Sequence, residues 1–126
     1  MQKKKILVVE DQENLLRLFN ILLSSHGYDV CEDNDGEAAL NAIEIDRPDL
    51  VLLDINLPGI NGFEVCERIK SQENTHEIPV VAITARVAKA DLLRLDEVGA
   101  DWYIPKPFKS VVLIETVQRF LKNEKP

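Results

Sequence analysis

A chain of 126 residues is long enough for one substantial core and too short for two. Hydrophobic residues make up 45% and charged ones 29%, ordinary proportions for a soluble globular fold. No apolar run approaches the roughly 18 residues of a membrane span. The basic start, Met1 to Lys5, is followed by a short strand-like run and then acids, without a leader's cleavage site, so the expected location is the cytoplasm. A net charge of −7 argues against the Lys/Arg footprint that direct nucleic-acid binding needs. Cys31 and Cys66, with no CxxC pair and no His at ligand spacing, read as small buried hydrophobes.

Ile6-Leu7-Val8-Val9 is a continuous branched apolar run, the pattern of a strand buried on both faces, and it ends on Glu10 and Asp11. Leu15, Leu18, Phe19 and Leu22 then recur at helical spacing until Gly27. Tyr28 to Glu32 alternates as a shorter strand. Gly36 to Ile45 follows as a helix capped by Asp35, with Ala38, Ala39, Ala42 and Ile43 as its small inner face. Leu50-Val51-Leu52-Leu53 is a third strand and ends on Asp54. The turn residues Pro58 to Gly62 lead into a helix carrying Phe63, Cys66 and Ile69. Val80 to Ile83 forms a fourth strand ending on Thr84, and Ala88 to Val98 a helix with Leu92, Leu95 and Val98 along one side, stopped by Gly99. Trp102-Tyr103-Ile104 and Ser110 to Leu121 complete the alternation, leaving 122–126 as a polar tail or the start of a linker.

Five strands alternating with five helices predict a single α/β domain over 1–126, with a doubly wound, five-stranded parallel sheet and helices on both faces. The length and the lack of a sixth strand favour the flavodoxin-like order 2-1-3-4-5, whose switch point lies between strands 1 and 3. Glu10, Asp11 and Asp54 then stand side by side at that point. Unit like charges at such range repel by several kcal/mol at an effective dielectric of about 20, so a cation is expected among them.

Thr84 and Lys106 end the fourth strand and follow the fifth. Carboxylates suit a hard divalent ion, an Asp can attack phosphorus, and a Lys and a hydroxyl can stabilise the oxygens of a transferred phosphoryl group. Each residue alone reads as a turn, a cap or a solvated side chain; their joint placement on one rim is what points to chemistry. Neither His26 nor His76 reads as a phosphate carrier.

The segments Val8-Val9-Glu10-Asp11, Asp54-Ile55-Asn56-Leu57-Pro58-Gly59, Ile83-Thr84-Ala85 and Lys106-Pro107-Phe108 resemble the motif set of bacterial response-regulator receiver domains, the CheY-like fold family. The resemblance covers essentially the whole chain. It implies phosphorylation of Asp54 by a sensor histidine kinase or phosphotransfer protein, without turnover of an external substrate. Mg²⁺ or Mn²⁺ would bind Asp11 and Asp54, with Glu10 assisting and Asn56 lending its backbone carbonyl. Lys106, before a cis bond to Pro107, would contact the phosphoryl oxygen, Thr84 would move to it, and Tyr103 would be the switch aromatic. A downstream target would then meet the face made by helix 4, strand 5 and helix 5, on a monomer or weak homodimer. Leu95, where many members have Ala, is expected to tilt or shift the fourth helix. A dehalogenase-like phosphatase is disfavoured because Asp54-Ile55-Asn56 lacks a second acid. A receiver that binds partners without phosphate is disfavoured by the complete residue set, and a dinucleotide site by the glycine-free turn Glu10 to Asn14.

Overall fold

The computed structural model describes residues 3–122. In chain order the elements are β1 (Lys5–Val9), α1 (Glu13–Ser25), β2 (Asp29–Asp33), α2 (Gly36–Ile45), β3 (Leu50–Asp54), α3 (Gly62–Ser71), β4 (Val80–Thr84), α4 (Lys89–Glu97), β5 (Trp102–Pro105) and α5 (Ser110–Lys122). The strands form one parallel sheet in the order β2-β1-β3-β4-β5, as the alternation predicts. Lys122 belongs to α5, and the rest of the expected tail lies outside the described residues.

The three apolar runs occupy the sheet centre because both faces there are covered. Ile6, Val8, Leu50 and Leu52 pack with Phe19 and Leu23 of α1 and Leu113, Val117 and Leu121 of α5. Their alternates Leu7, Val9, Val51 and Leu53 face Ala39 and Ile43 of α2 and Val65, Cys66 and Ile69 of α3. A third cluster, Ile55, Phe63, Ala82 and Leu95, joins α3 to α4. Each buried aliphatic side chain contributes about 1.5–3 kcal/mol relative to exposure. The helices begin and end where their sequence signals stand. Asp35 accepts from the Ala38 N–H, Asn61 accepts from the Glu64 N–H, and Gly27 and Gly99 take φ of +90° and +91° just past α1 and α4.

Three expectations are corrected. Cys31 is exposed, because β2 is an edge strand whose Asp29, Cys31 and Glu32 all face solvent; only Cys66 is buried, and burial pushes its thiol up to about 12. The apolar stripe of α1 is wider than its buried face: Phe19 and Leu23 enter the core, while Leu18 and Ile21 remain 42% and 60% exposed. On α2 the buried residues are Gly36, Ala39 and Ile43, with Ala38 and Ala42 only half-buried.

At the amino ends of the strands the Lys70 ammonium donates to the carbonyls of His76 (3.1 Å) and Ile78 (2.8 Å) and pairs with Asp101 (2.8 Å). Asp101 in turn accepts from the Val80 N–H at 2.8 Å. This ties α3, β4 and the α4–β5 turn together. The opposite ends of the strands are built differently.

Candidate functional site

Register brings the site together. Val9 is level with Leu53 across the β1–β3 pair, so Glu10 falls beside Asp54; Asp54 is level with Ile83, and Thr84 with Pro105. Glu10, Asp11 and Asp54 offer carboxylate oxygens that lie within 4.8 Å of one another. Glu10 and Asp54 are buried, at 1% and 5% exposure, while Asp11 is exposed. Such an all-oxygen set, two walls buried and one open to water, fits a hard divalent cation that keeps several waters.

The cation expected among the acids is already in the chain. Lys106 Nζ lies 3.1 Å from Glu10 Oε1 and 3.4 Å from Asp54 Oδ2, reaching back from the loop after β5 across 96 positions of sequence. The other Glu10 oxygen accepts from the Gln12 N–H at 3.0 Å. Burial nevertheless raises the Glu10 carboxyl above its ordinary range, and the Asp54 charge pushes the same way; the Gln12 N–H and Lys106 oppose them without prevailing. One ammonium against three acids leaves the rim short of positive charge.

Of the remaining predicted residues, Asn56 stands just past β3, Thr84 ends β4 and Tyr103 lies within β5. Asp54 Oδ1 accepts from the Asn56 N–H at 3.2 Å, so Asn56 begins the turn leaving the acid. Thr84 is buried, and its Oγ1 accepts from the Arg86 N–H at 2.8 Å. The Lys106–Pro107 peptide is cis. Tyr103 is half-buried against the Ile55–Phe63–Ala82–Leu95 cluster, its ring stacked at 6.3 Å from that of the exposed Trp102. His26 bonds the Leu22 carbonyl at the end of α1 and His76 is exposed in a loop, neither on the rim.

Two features were not apparent from sequence. Gly62, first residue of α3, sits so close behind the end of β3 that a Cβ there would meet the Asp54 carbonyl oxygen and the Ile55 Cα, both at 2.5 Å. Only glycine allows the helix that approach, and its N–H bonds the Ile55 carbonyl at 2.8 Å. The second is an apolar groove of about 430 Å³ lined by Leu15, Leu18, Ala85, Lys106, Pro107 and Phe108, opening beside the rim. The excess apolar width of α1 was its only sequence signal.

Comparison with known proteins agrees with this fold. The family described as "Response regulator receiver domain" matches residues 6–118. The DNA-binding response regulator MtrA of Mycolicibacterium smegmatis is 40% identical over 123 residues, covering 97% of this chain and 53% of MtrA, so the chain spans about half of that relative. The polar-differentiation response regulator DivK of Brucella anthropi is 37% identical over 118 residues, covering 94% of this chain and 96% of DivK. Among solved structures, the receiver domain of the sensor histidine kinase PA1611 from Pseudomonas aeruginosa, which holds a magnesium ion in its active-site cleft, superposes with a TM-score of 0.89 at 32% identity. That match covers 97% of this chain and 100% of the other. On a family match of this extent and relatives of this identity, the chain belongs to the response regulator receiver domains of two-component systems.

Proposed function

We propose that Asp54 is the phosphoacceptor of a signalling switch, supplied by a sensor histidine kinase or phosphotransfer protein. The observation that carries this is the position of Lys106 Nζ, bonded to Glu10 and 3.4 Å from Asp54 at the open rim of the sheet. An Asp54 oxygen would form the new P–O bond as the donor's P–N bond breaks, the histidine nitrogen keeping the electron pair and taking a proton. Asp11, Asp54 and the Asn56 carbonyl, with Glu10 assisting, would hold Mg²⁺ or Mn²⁺. The ion would neutralise charge on the acyl phosphate, which carries about −1.5 to −2 where the carboxylate carried one negative charge, in an already acidic pocket.

Lys106 and the Thr84 hydroxyl would bind the new phosphoryl oxygens. Thr84 moving toward them would vacate space for Tyr103, changing the α4–β5–α5 face on which Trp102 and Leu93 are exposed, and a downstream partner would read that change. The groove at Leu15, Leu18 and Phe108 shares Lys106 with the site, which supports seating the histidine-bearing donor there. The chain would assist only its own phosphorylation and dephosphorylation.

Beryllofluoride with Mg²⁺, which stands in for an acyl phosphate, should shift Trp102 fluorescence in the wild-type chain and leave Asp54→Asn unmoved. Identical behaviour of the two proteins sinks the proposal. Lys106→Ala should retain metal binding yet lose the coupling between phosphorylation and the Trp102 response.

A further inference from the structure

We infer that Arg94 is a positioning residue for Thr84: by stacking on Phe63 it holds α4, and the loop that follows Thr84, in their resting placement. The inference rests on the phosphoacceptor reading of the site.

Phe63 is anchored to the phosphoacceptor strand. It follows Gly62, the residue packed against the Asp54 carbonyl, and it is only 1% exposed in the cluster with Ile55. The two cations over its ring both lie on the segment after Thr84. The Arg94 guanidinium carbon sits 4.2 Å from the ring centroid and that of Arg86 sits 5.5 Å away. Arg86 is joined to Thr84 through its N–H on Oγ1 (2.8 Å) and to α4 through Asp91 (3.0 Å). A displacement of Thr84 therefore pulls on Arg86, on Asp91 and on the helix that carries Arg94.

Beyond the Asp91 pair, α4 has few buried contacts. Leu95 is its one buried residue, Leu92 packs half-buried beside the same cluster, and the helix N-cap, Ala88, offers no side-chain hydrogen bond. An element with few buried contacts opens at low free energy, so a stack on a buried ring is a sizeable share of its attachment. Because the ring stays with β3 and the arginine travels with α4, the stack favours the resting placement over the switched one.

A ligand that selects the switched placement binds more weakly in proportion to how rarely that placement is populated. Removing a contact made only at rest should therefore tighten binding, the reverse of what structural damage does. The experiment titrates beryllofluoride at saturating Mg²⁺, following Trp102 fluorescence, with wild type, Arg94→Ala, Phe63→Leu and the double variant. Arg94 is exposed and alanine suits a helix, so Arg94→Ala should fold, with Mg²⁺ affinity unchanged. Its midpoint should fall about threefold to tenfold. The double variant should gain no more than Phe63→Leu alone, since loss of the ring already removes the Arg94 stack. A wild-type chain with no response overturns the phosphoacceptor reading itself. A wild-type chain that responds while Arg94→Ala titrates at the same or a higher concentration overturns the role of Arg94 alone.

Discussion

The two ends of the β-sheet treat charge in opposite ways. At the amino end, Lys70 has one carboxylate and two carbonyls around it, and Asp101 has both an ammonium and an N–H, so each polar group is answered. At the carboxyl end, Lys106 reaches two of three clustered acids, Glu10 and Asp54, and Glu10 is buried where burial penalises its charge. The first arrangement holds the fold; the second leaves a deficit that a bound cation or a moving proton can fill. Local rules are broken at functional sites more readily than elsewhere, and here the break is confined to one rim.

The contrast is tested most strongly at the amino end. Lys70→Met keeps the stem and removes the ammonium, leaving Asp101 and two carbonyls without their donor, and should cost about 2 kcal/mol of stability. Mg²⁺ affinity should not change. A variant as stable as wild type in urea unfolding would show that this end is no better held than the rim. Gly62→Ala should cost about 1–3 kcal/mol by forcing a methyl against backbone, and it should also weaken Mg²⁺ binding, because the displaced backbone is that of Asp54 and Ile55. A Leu121→Ala control, on the far face of the sheet, should lose stability with Mg²⁺ affinity intact. Parallel losses in both proteins would reduce Gly62 to ordinary packing.

At the rim the sign should invert. Asp11 is exposed and adds to the excess of acid, so Asp11→Asn in EDTA should be more stable by about 0.5–1 kcal/mol, less at high salt. The same change should lower Mg²⁺ affinity about tenfold or more. Denaturation with and without Mg²⁺ separates the two effects. A loss of stability in EDTA would mean that Asp11 is held by contacts rather than merely tolerated.

How far sequence reaches follows from the range of the forces involved. Sheet order and the rim were legible because each central strand is an uninterrupted apolar run and each candidate site residue stands at its end: Glu10 after Val9, Asp54 after Leu53, Thr84 after Ile83. The Glu10–Lys106 pair was not, since 96 positions separate its members and only the folded register joins them. Gly62 looked like turn chemistry because a missing Cβ reveals its purpose only against the backbone it approaches. Cys31 was misplaced for a different reason. The predicted order already made β2 an edge strand, yet the lack of a CxxC pair or a ligand-spaced His favoured burial of both cysteines, and the edge position overrode that for Cys31.

The smallest effect concerns protons. Burial, aided by the Asp54 charge, raises the Glu10 carboxyl in the folded chain above its value in the unfolded one. The folded state therefore holds a proton that the unfolded state has released, and stability attributable to Glu10 falls as pH rises from the ordinary carboxyl range to the raised folded value. Below that window Glu10 is neutral in both states, and above it charged in both. Urea unfolding of wild type and Glu10→Gln in EDTA, from about pH 4 to about pH 8, isolates this contribution, because other shifted groups such as Asp33 cancel in the difference. Wild type should lose stability relative to Glu10→Gln as pH rises through the window. Mg²⁺ should bind more tightly over the same interval, since the ion needs the charged carboxylates. A difference that runs the other way, with wild type gaining as Glu10 ionises, would mean that the Lys106 pair outweighs burial. The rim would then be as well satisfied as the Lys70–Asp101 end, and the charge deficit that distinguishes the two ends would vanish.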